Sequence, residues 1–107
     1  AHFGLNRAPG MWMQGGGRSL LARGPDDVLG IDMAACDVYK GALAAAAKIT
    51  CPTLFICGNR DIMTPPKATA PLATAIPGAQ TVILDGAGHM MMVEKPDETL
   101  DALIAAL

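Results

Sequence analysis

Residues 51–61 read Cys51-Pro52-Thr53-Leu54-Phe55-Ile56-Cys57-Gly58-Asn59-Arg60-Asp61, an apolar run entered through a proline and left through a glycine. Residues 53–57 are a short apolar run rich in β-formers, preceded by Pro52 and stopped by Gly58. Their apolar character is continuous rather than alternating, as in a parallel strand covered on both faces. Thr81-Val82-Ile83-Leu84 repeats the pattern between Pro77-Gly78 and Gly86. Between the two runs, Thr64-Pro65-Pro66 opens a helix, with Thr64 as cap and Pro65 at the first position. Ala68, Leu72, Ala75 and Ile76 share one face of it, and Pro71 removes an interior donor and should kink or delay it. Strand, helix and strand with a crossover of about twenty residues make two adjacent parallel strands linked right-handedly.

Outward from this unit, Pro96-Asp97-Glu98 begins a last helix with proline and acids in its first turn. Leu100, Leu103, Ile104 and Leu107 follow at i, i+3, i+4 and i+7. The first fifty residues are rich in Gly, Ala and Met, with loops at Pro9-Gly10, Gly15-Gly16-Gly17 and Gly24-Pro25. Short helices are predicted at 18–23 and 32–47, the second capped by Asp32 and weakened or divided at Gly41. Two strands alone do not make a stable, doubly covered sheet, so the pattern reads as the end of a larger one.

Composition narrows the field. The chain has 107 residues, 51% hydrophobic and 17% charged, which excludes a disordered segment and leaves room for one modest domain. So apolar a small chain is expected to have one face covered, by a second copy or by a missing complement. The net charge is −2 and the eight basic residues are scattered, which excludes a nucleic-acid surface. No stretch is long enough to span a bilayer. Cys36, Cys51 and Cys57 form no close pair, and the extended chain between the last two keeps them beyond disulfide reach. Buried thiols in a reducing, cytoplasmic compartment are expected, and neither a metal nor a cofactor. The chain opens Ala1-His2-Phe3-Gly4, without an initiator Met. It is expected to start within a longer protein, so any targeting signal would be missing from it.

In open α/β sheets the functional groups sit in loops at the carboxyl ends of strands. Gly58-Asn59-Arg60-Asp61 follows the first strand and Gly86-Ala87-Gly88-His89 the second. An acid and a histidine thus leave the same sheet edge on neighbouring strands, about 4.8 Å apart. A carboxylate in hydrogen-bond reach of an imidazole fixes its tautomer and stabilises the imidazolium, the acid–base half of a triad. Taken singly, each has a bland use: an Asp after a strand is usually a turn residue, and a lone His is usually structural. The matched strand contexts and loop lengths favour the joint reading.

These segments resemble the α/β-hydrolase family. Residues 51–61 with Thr64-Pro65-Pro66 look like its seventh strand, the Gly-x-x-Asp turn and the proline after it. Ile76-Pro77-Gly78-Ala79, the strand 81–84, Gly88-His89 and Glu94-Lys95-Pro96-Asp97-Glu98 resemble the eighth strand, the histidine loop and the closing helix. The resemblance is dense over 49–107 and implies the C-terminal part of that core, with Asp61 as triad acid and His89 as general base. It is looser over 1–48, which would be a cap (lid) segment of helices, residues 32–39 resembling its last one. Met11 and Trp12 would line an acyl pocket, and Met90 would touch substrate beside His89. Helix–helix and core packing are the competing uses of these side chains. Glu94 would order the segment entering the last helix.

The departures are large. No Gly-x-Ser-x-Gly elbow occurs, and Ser19 in Gly17-Arg18-Ser19-Leu20-Leu21 lacks the second glycine and a preceding strand. The expected function is esterase-like hydrolysis of a small ester-like substrate in a full-length parent, with this chain inactive by itself. Two alternatives stay open. One is a dehalogenase or epoxide-hydrolase type of parent with an aspartate nucleophile; the other is a non-catalytic, oligomerising module.

Overall fold

The computed structural model describes residues 11–107, with side chains from residue 15 onward. Leu54–Gly58 (β1) and Gln80–Leu84 (β2) pair in parallel, from Leu54 opposite Gln80 to Gly58 opposite Leu84. The ladder begins with Gln80 N–H on the Thr53 carbonyl (3.0 Å) and runs past β1 with Asn59 N–H on the Leu84 carbonyl (3.2 Å). Both strands therefore end at one edge in step. This places their two following loops side by side.

The crossover helix α4, Pro66–Ala75, starts one residue later than expected, with Pro65 rather than Thr64 at the N-cap. Thr64 cannot cap it because its hydroxyl is engaged by Asp61 instead. Pro71 lies inside the helix without ending it. Ile76 at the C-cap is buried and closes the last turn on the Leu72 carbonyl. Of the expected apolar face, Leu72 and Ala75 are half-buried and Ala68 is exposed.

A short turn of helix, Met91–Glu94 (α5), leads into Pro96–Ala106 (α6), which has Pro96, Asp97 and Glu98 in its first turn as expected. Its apolar stripe does not face the strands. Leu100, Leu103, Ile104 and Leu107 are 49–103% exposed, and α6 buries Thr99 and Ala102 instead. The Thr99 hydroxyl satisfies itself on the carbonyls of Lys95 (2.7 Å) and Met91 (3.1 Å), the backbone pairing a buried polar group needs.

The N-terminal part departs most from expectation. Met11–Arg23 (α1) runs through Gly15-Gly16-Gly17, which had read as a loop. Glycine costs a helix roughly 1 kcal/mol relative to alanine. The better helix formers 19–23, with Arg23 favourably placed in the last turn, carry it through. Val28–Val38 (α2) opens four residues before Asp32, which lies within it rather than capping it. Asp27 holds the N-cap position with φ 65°, and its side chain makes no cap hydrogen bond. The division at Gly41 is real, since Ala42–Ala46 (α3) is a separate helix with Gly41 at its N-cap.

The core is small: Ala46, Cys57, Ile76, Leu84, Ala87 and Ala102, with no large side chain fully buried among the described residues. Ile83 in β2 is 54% exposed, so the described residues do not cover the strands on both faces. The accessible surface is 7889 Å². A compact monomer of this mass exposes about 5,600 Å². Cys36 and Cys51 are exposed rather than buried, Cys57 is buried, and all three are free. Among the described residues no helix is long and apolar enough to cross a membrane.

Candidate active site

The loops after β1 and β2 meet. Arg60 N–H donates to the Ala87 carbonyl (2.9 Å), Ala87 N–H closes back on Leu84, and Asp61 N–H on Gly58. The Asn59 side chain bridges the two loops, donating to Asp85 Oδ1 (2.6 Å) and accepting Gly86 N–H on its own Oδ1 (2.8 Å). Gly86 has φ 77°, a left-handed turn that a side chain would strain. Gly58 is needed for a different reason. A Cβ there would stand 2.7 Å from both the Ala87 carbonyl carbon and the Gly88 oxygen, with the Ala87 oxygen closer still. Only a residue without a side chain lets the histidine loop lie this close to β1.

That packing delivers Asp61 Oδ2 to 2.9 Å from His89 Nδ1. The Asp61 side chain is 1% exposed and that of His89 31%, so a sequestered acid backs an accessible imidazole. Asp61 Oδ1 accepts N–H bonds from Met63 (2.8 Å) and Thr64 (3.0 Å), and Oδ2 accepts the Thr64 hydroxyl (2.9 Å) as well as facing His89. Burial, the largest single influence on Asp61, works against its charged form. The Thr64 N–H, His89, the Thr64 hydroxyl and the Met63 N–H together outweigh it and hold the carboxyl below its usual value. Glu94 Oε1 accepts Gly88 N–H (3.1 Å), so its side chain ties down the histidine loop.

The structure thus brings Asp61 and His89 into direct contact. Met90, the next residue along, is 41% exposed, which weakens the core-packing use of its side chain. Met11 and Trp12 belong to α1, but their side chains lie outside the described residues. Among the described residues no three His, Cys, Asp or Glu side chains gather closely enough to hold a metal ion. Sequence reasoning missed two participants. Thr64 had read as a helix cap, although an Asp followed two and three residues later by free N–H groups is itself a turn pattern that draws in the next hydroxyl. Asn59 carried no periodic or motif signal, because its partners lie 26 and 27 residues away.

The chain is similar to Lipase 1 of Psychrobacter immobilis, 36% identical over 55 residues that make up 51% of this chain and 17% of the lipase. Among solved structures it resembles a hydrolase from Pseudomonas aeruginosa PA01, with 34% identity and a TM-score of 0.55 over 60% of this chain and 24% of that one. Another is Est816, described as an N-acyl homoserine lactone degrading enzyme, with 29% identity and a TM-score of 0.57 over 61% of this chain and 25% of that one. The chain therefore spans a quarter or less of the proteins it resembles. The profile of the alpha/beta hydrolase fold matches residues 6–96, taking in the N-terminal helices as well as the strand pair. With that match over most of its length, and two parallel strands of the expected order, the chain belongs to the α/β-hydrolase fold family.

Proposed function

We propose that Asp61 and His89 are the acid and general base of an esterase-type site, whose nucleophile comes from outside these 107 residues. The observation that carries this reading is the 2.9 Å contact between Asp61 Oδ2 and His89 Nδ1 above a shared sheet edge. With Nδ1 turned to the carboxylate, the opposite ring nitrogen, Nε2, takes the proton of an attacking hydroxyl and later returns it to the leaving group. Asp61 stays ionised and stabilises the imidazolium formed in between. The names of two similar proteins, a lipase and a lactone-degrading enzyme, support an ester-type carbonyl substrate, which in this reading a serine attacks.

In this reading residues 49–107 are the C-terminal part of the hydrolase core and residues 1–48 its cap. Met90 touches the acyl group beside His89, and Met11 and Trp12 line the pocket from the cap side. No Gly-x-Ser-x-Gly occurs in the chain, so by itself it is inactive.

Hydrolysis of an aryl ester by the complete gene product tests the assignment. A general base contributes about 10²- to 10⁴-fold, so His89→Ala should lose that much turnover. Wild-type turnover in His89→Ala overturns the reading, and an elbow aspartate in place of serine would move it to dehalogenase or epoxide-hydrolase chemistry.

A further inference from the structure

The Thr64 hydroxyl touches both members of the pair. Its Oγ1 lies 2.9 Å from Asp61 Oδ2 and 3.3 Å from His89 Nδ1. A threonine hydroxyl has one proton to give and lone pairs to receive with. Of its two neighbours, the carboxylate oxygen is nearer and charged, and charge-assisted hydrogen bonds are the stronger kind. The proton therefore goes to Asp61 Oδ2. Once it is spent there, the side of Oγ1 facing the imidazole is an acceptor. Asp61 Oδ2 is an acceptor too, so His89 Nδ1 faces an acceptor on each of these two neighbours.

We infer that Thr64 is a positioning residue that sets the tautomer of His89: with Asp61 it holds the imidazole proton on Nδ1, leaving Nε2 as the nitrogen that accepts one. This rests on reading Asp61 and His89 as an acid–base pair, and adds to it a residue acting through both. The two backbone bonds to Oδ1 fix which carboxylate oxygen faces His89. The hydroxyl then fixes the rotation of Oδ2 and supplies the second acceptor. Because Thr64 as a whole is exposed, its γ-methyl side has room for an isosteric change.

The test is the nitrogen-15 NMR of the imidazole in the 107-residue chain with the ring neutral, where the Nδ1 and Nε2 shifts report which nitrogen carries the proton. His2 is the only other histidine, so assignment needs one comparison with His89→Gln. The wild type should show the proton on Nδ1, with a nuclear Overhauser contact to Thr64. Thr64→Val removes the hydroxyl and keeps the shape and the backbone N–H, and should shift the ratio toward the Nε2–H form by about five-fold, the worth of one ordinary hydrogen bond. Thr64→Ser should restore the wild-type ratio, which a merely structural role would not require.

Asp61→Asn serves as the reference. Two backbone donors on Oδ1 oblige the asparagine carbonyl to sit there and its NH₂ to face Nδ1, so the proton should move wholly to Nε2. An unchanged ratio in Thr64→Val, or a wild type already carrying the proton on Nε2, overturns the role of Thr64. An unchanged ratio in Asp61→Asn defeats the pair itself. Should Thr64→Val fail to fold, Thr64→Ala, which also removes the hydroxyl and keeps the backbone N–H, takes its place, and an unchanged ratio there overturns the role of Thr64 in the same way.

Discussion

Replacing Gly58 by alanine puts one methyl group into the seam on which the site is built. Its carbon would stand 2.7 Å from the Ala87 carbonyl carbon and from the Gly88 oxygen and nearer still to the Ala87 oxygen, so relief to ordinary contact at 3.4 Å is a displacement of at least about 0.7 Å. All the obstructing atoms are main chain, so no rotamer change can make room. The histidine loop has to back away from β1. It is held there by Arg60 N–H on Ala87 (2.9 Å) and by Gly86 N–H on Asn59 (2.8 Å), and a shift of that size strains both. His89 follows two residues later, and its 2.9 Å bond to Asp61 would lengthen past the hydrogen-bond limit. Forcing an extra methyl into a packed site costs about 1–3 kcal/mol. In a domain of about 100 residues that lowers the melting midpoint by on the order of 5–20 °C. Circular dichroism melts give the midpoint, and the His89 ring nitrogens report the bond to Asp61. Gly30→Ala is the control, because a Cβ at Gly30 meets nothing within 4 Å and the site lies inside α2. It should be neutral or stabilising by roughly 0.5–1 kcal/mol. A Gly58→Ala chain that melts with wild type and keeps the Asp61–His89 bond would refute the close-approach argument.

Asp61 is held below its usual carboxyl value, so its contribution to stability is complete above the unfolded-state value near 3.8 and is lost as pH falls through the lower folded value. Urea unfolding across pH 2–5, a window of about three units around that value, should lose less stability on acidification in Asp61→Asn than in wild type; parallel acid profiles would contradict the sign. Asn59→Ala removes both side-chain bonds between the loops and leaves Gly86 N–H without its acceptor, at a cost of about 1–2 kcal/mol in the same assay. Asn59→Asp should be worse at neutral pH, since it sets a carboxylate against Asp85 at a spacing now 2.6 Å, and should recover on acidification. With Ile83, Leu100, Leu103 and Ile104 all 49–58% exposed, the chain in solution should associate with itself. Light scattering checks this, with Leu103→Glu and Ile104→Lys reducing the mass; a monomer at every concentration would contradict it.

What the sequence disclosed follows from how local each cause is. The strand pair was legible because Pro52, Gly58, Pro77-Gly78 and Gly86 punctuate two apolar runs, and because strand, crossover and strand admit one parallel arrangement. The start of α6 was legible from Pro96-Asp97-Glu98, where propensity and helix dipole agree. The direction of its apolar stripe was not. Periodicity says which residues share a face, and says nothing about whether this chain carries the surface that face would meet. Residues 15–17 misled for the opposite reason, since glycine lowers helix stability by an amount that flanking residues can offset. At the site, Asp61 and His89 could be read from their places after two strands. Asn59 and the close approach at Gly58 depend on atoms more than twenty residues away in sequence, which no local pattern records, whereas Thr64 closes a local turn on Asp61 that its reading as a helix cap concealed.

The geometry of the pair does not depend on the size of the core. The buried residues are mostly small, and the surface is larger than a compact chain of this mass would expose. The Asp61–His89 contact is nevertheless over-determined by bonds among the two loops, their strands and the short helix α5. Asn59 and Arg60 donate from one backbone to the other, Gly86 returns the connection to the Asn59 side chain, and Glu94 takes Gly88 from behind. Each carboxylate oxygen of Asp61 is engaged twice. A pair built this way keeps its geometry by local hydrogen bonding, and under the proposed function it would rely on the surrounding surfaces to exclude water and bring a nucleophile to His89. Those two requirements separate in experiment: substitutions at Gly58, Asn59 or Thr64 act on the pair, and substitutions on the exposed stripe of α6 act on what covers it. Independence of the two sets, seen as additive losses of stability, is what this division of labour demands.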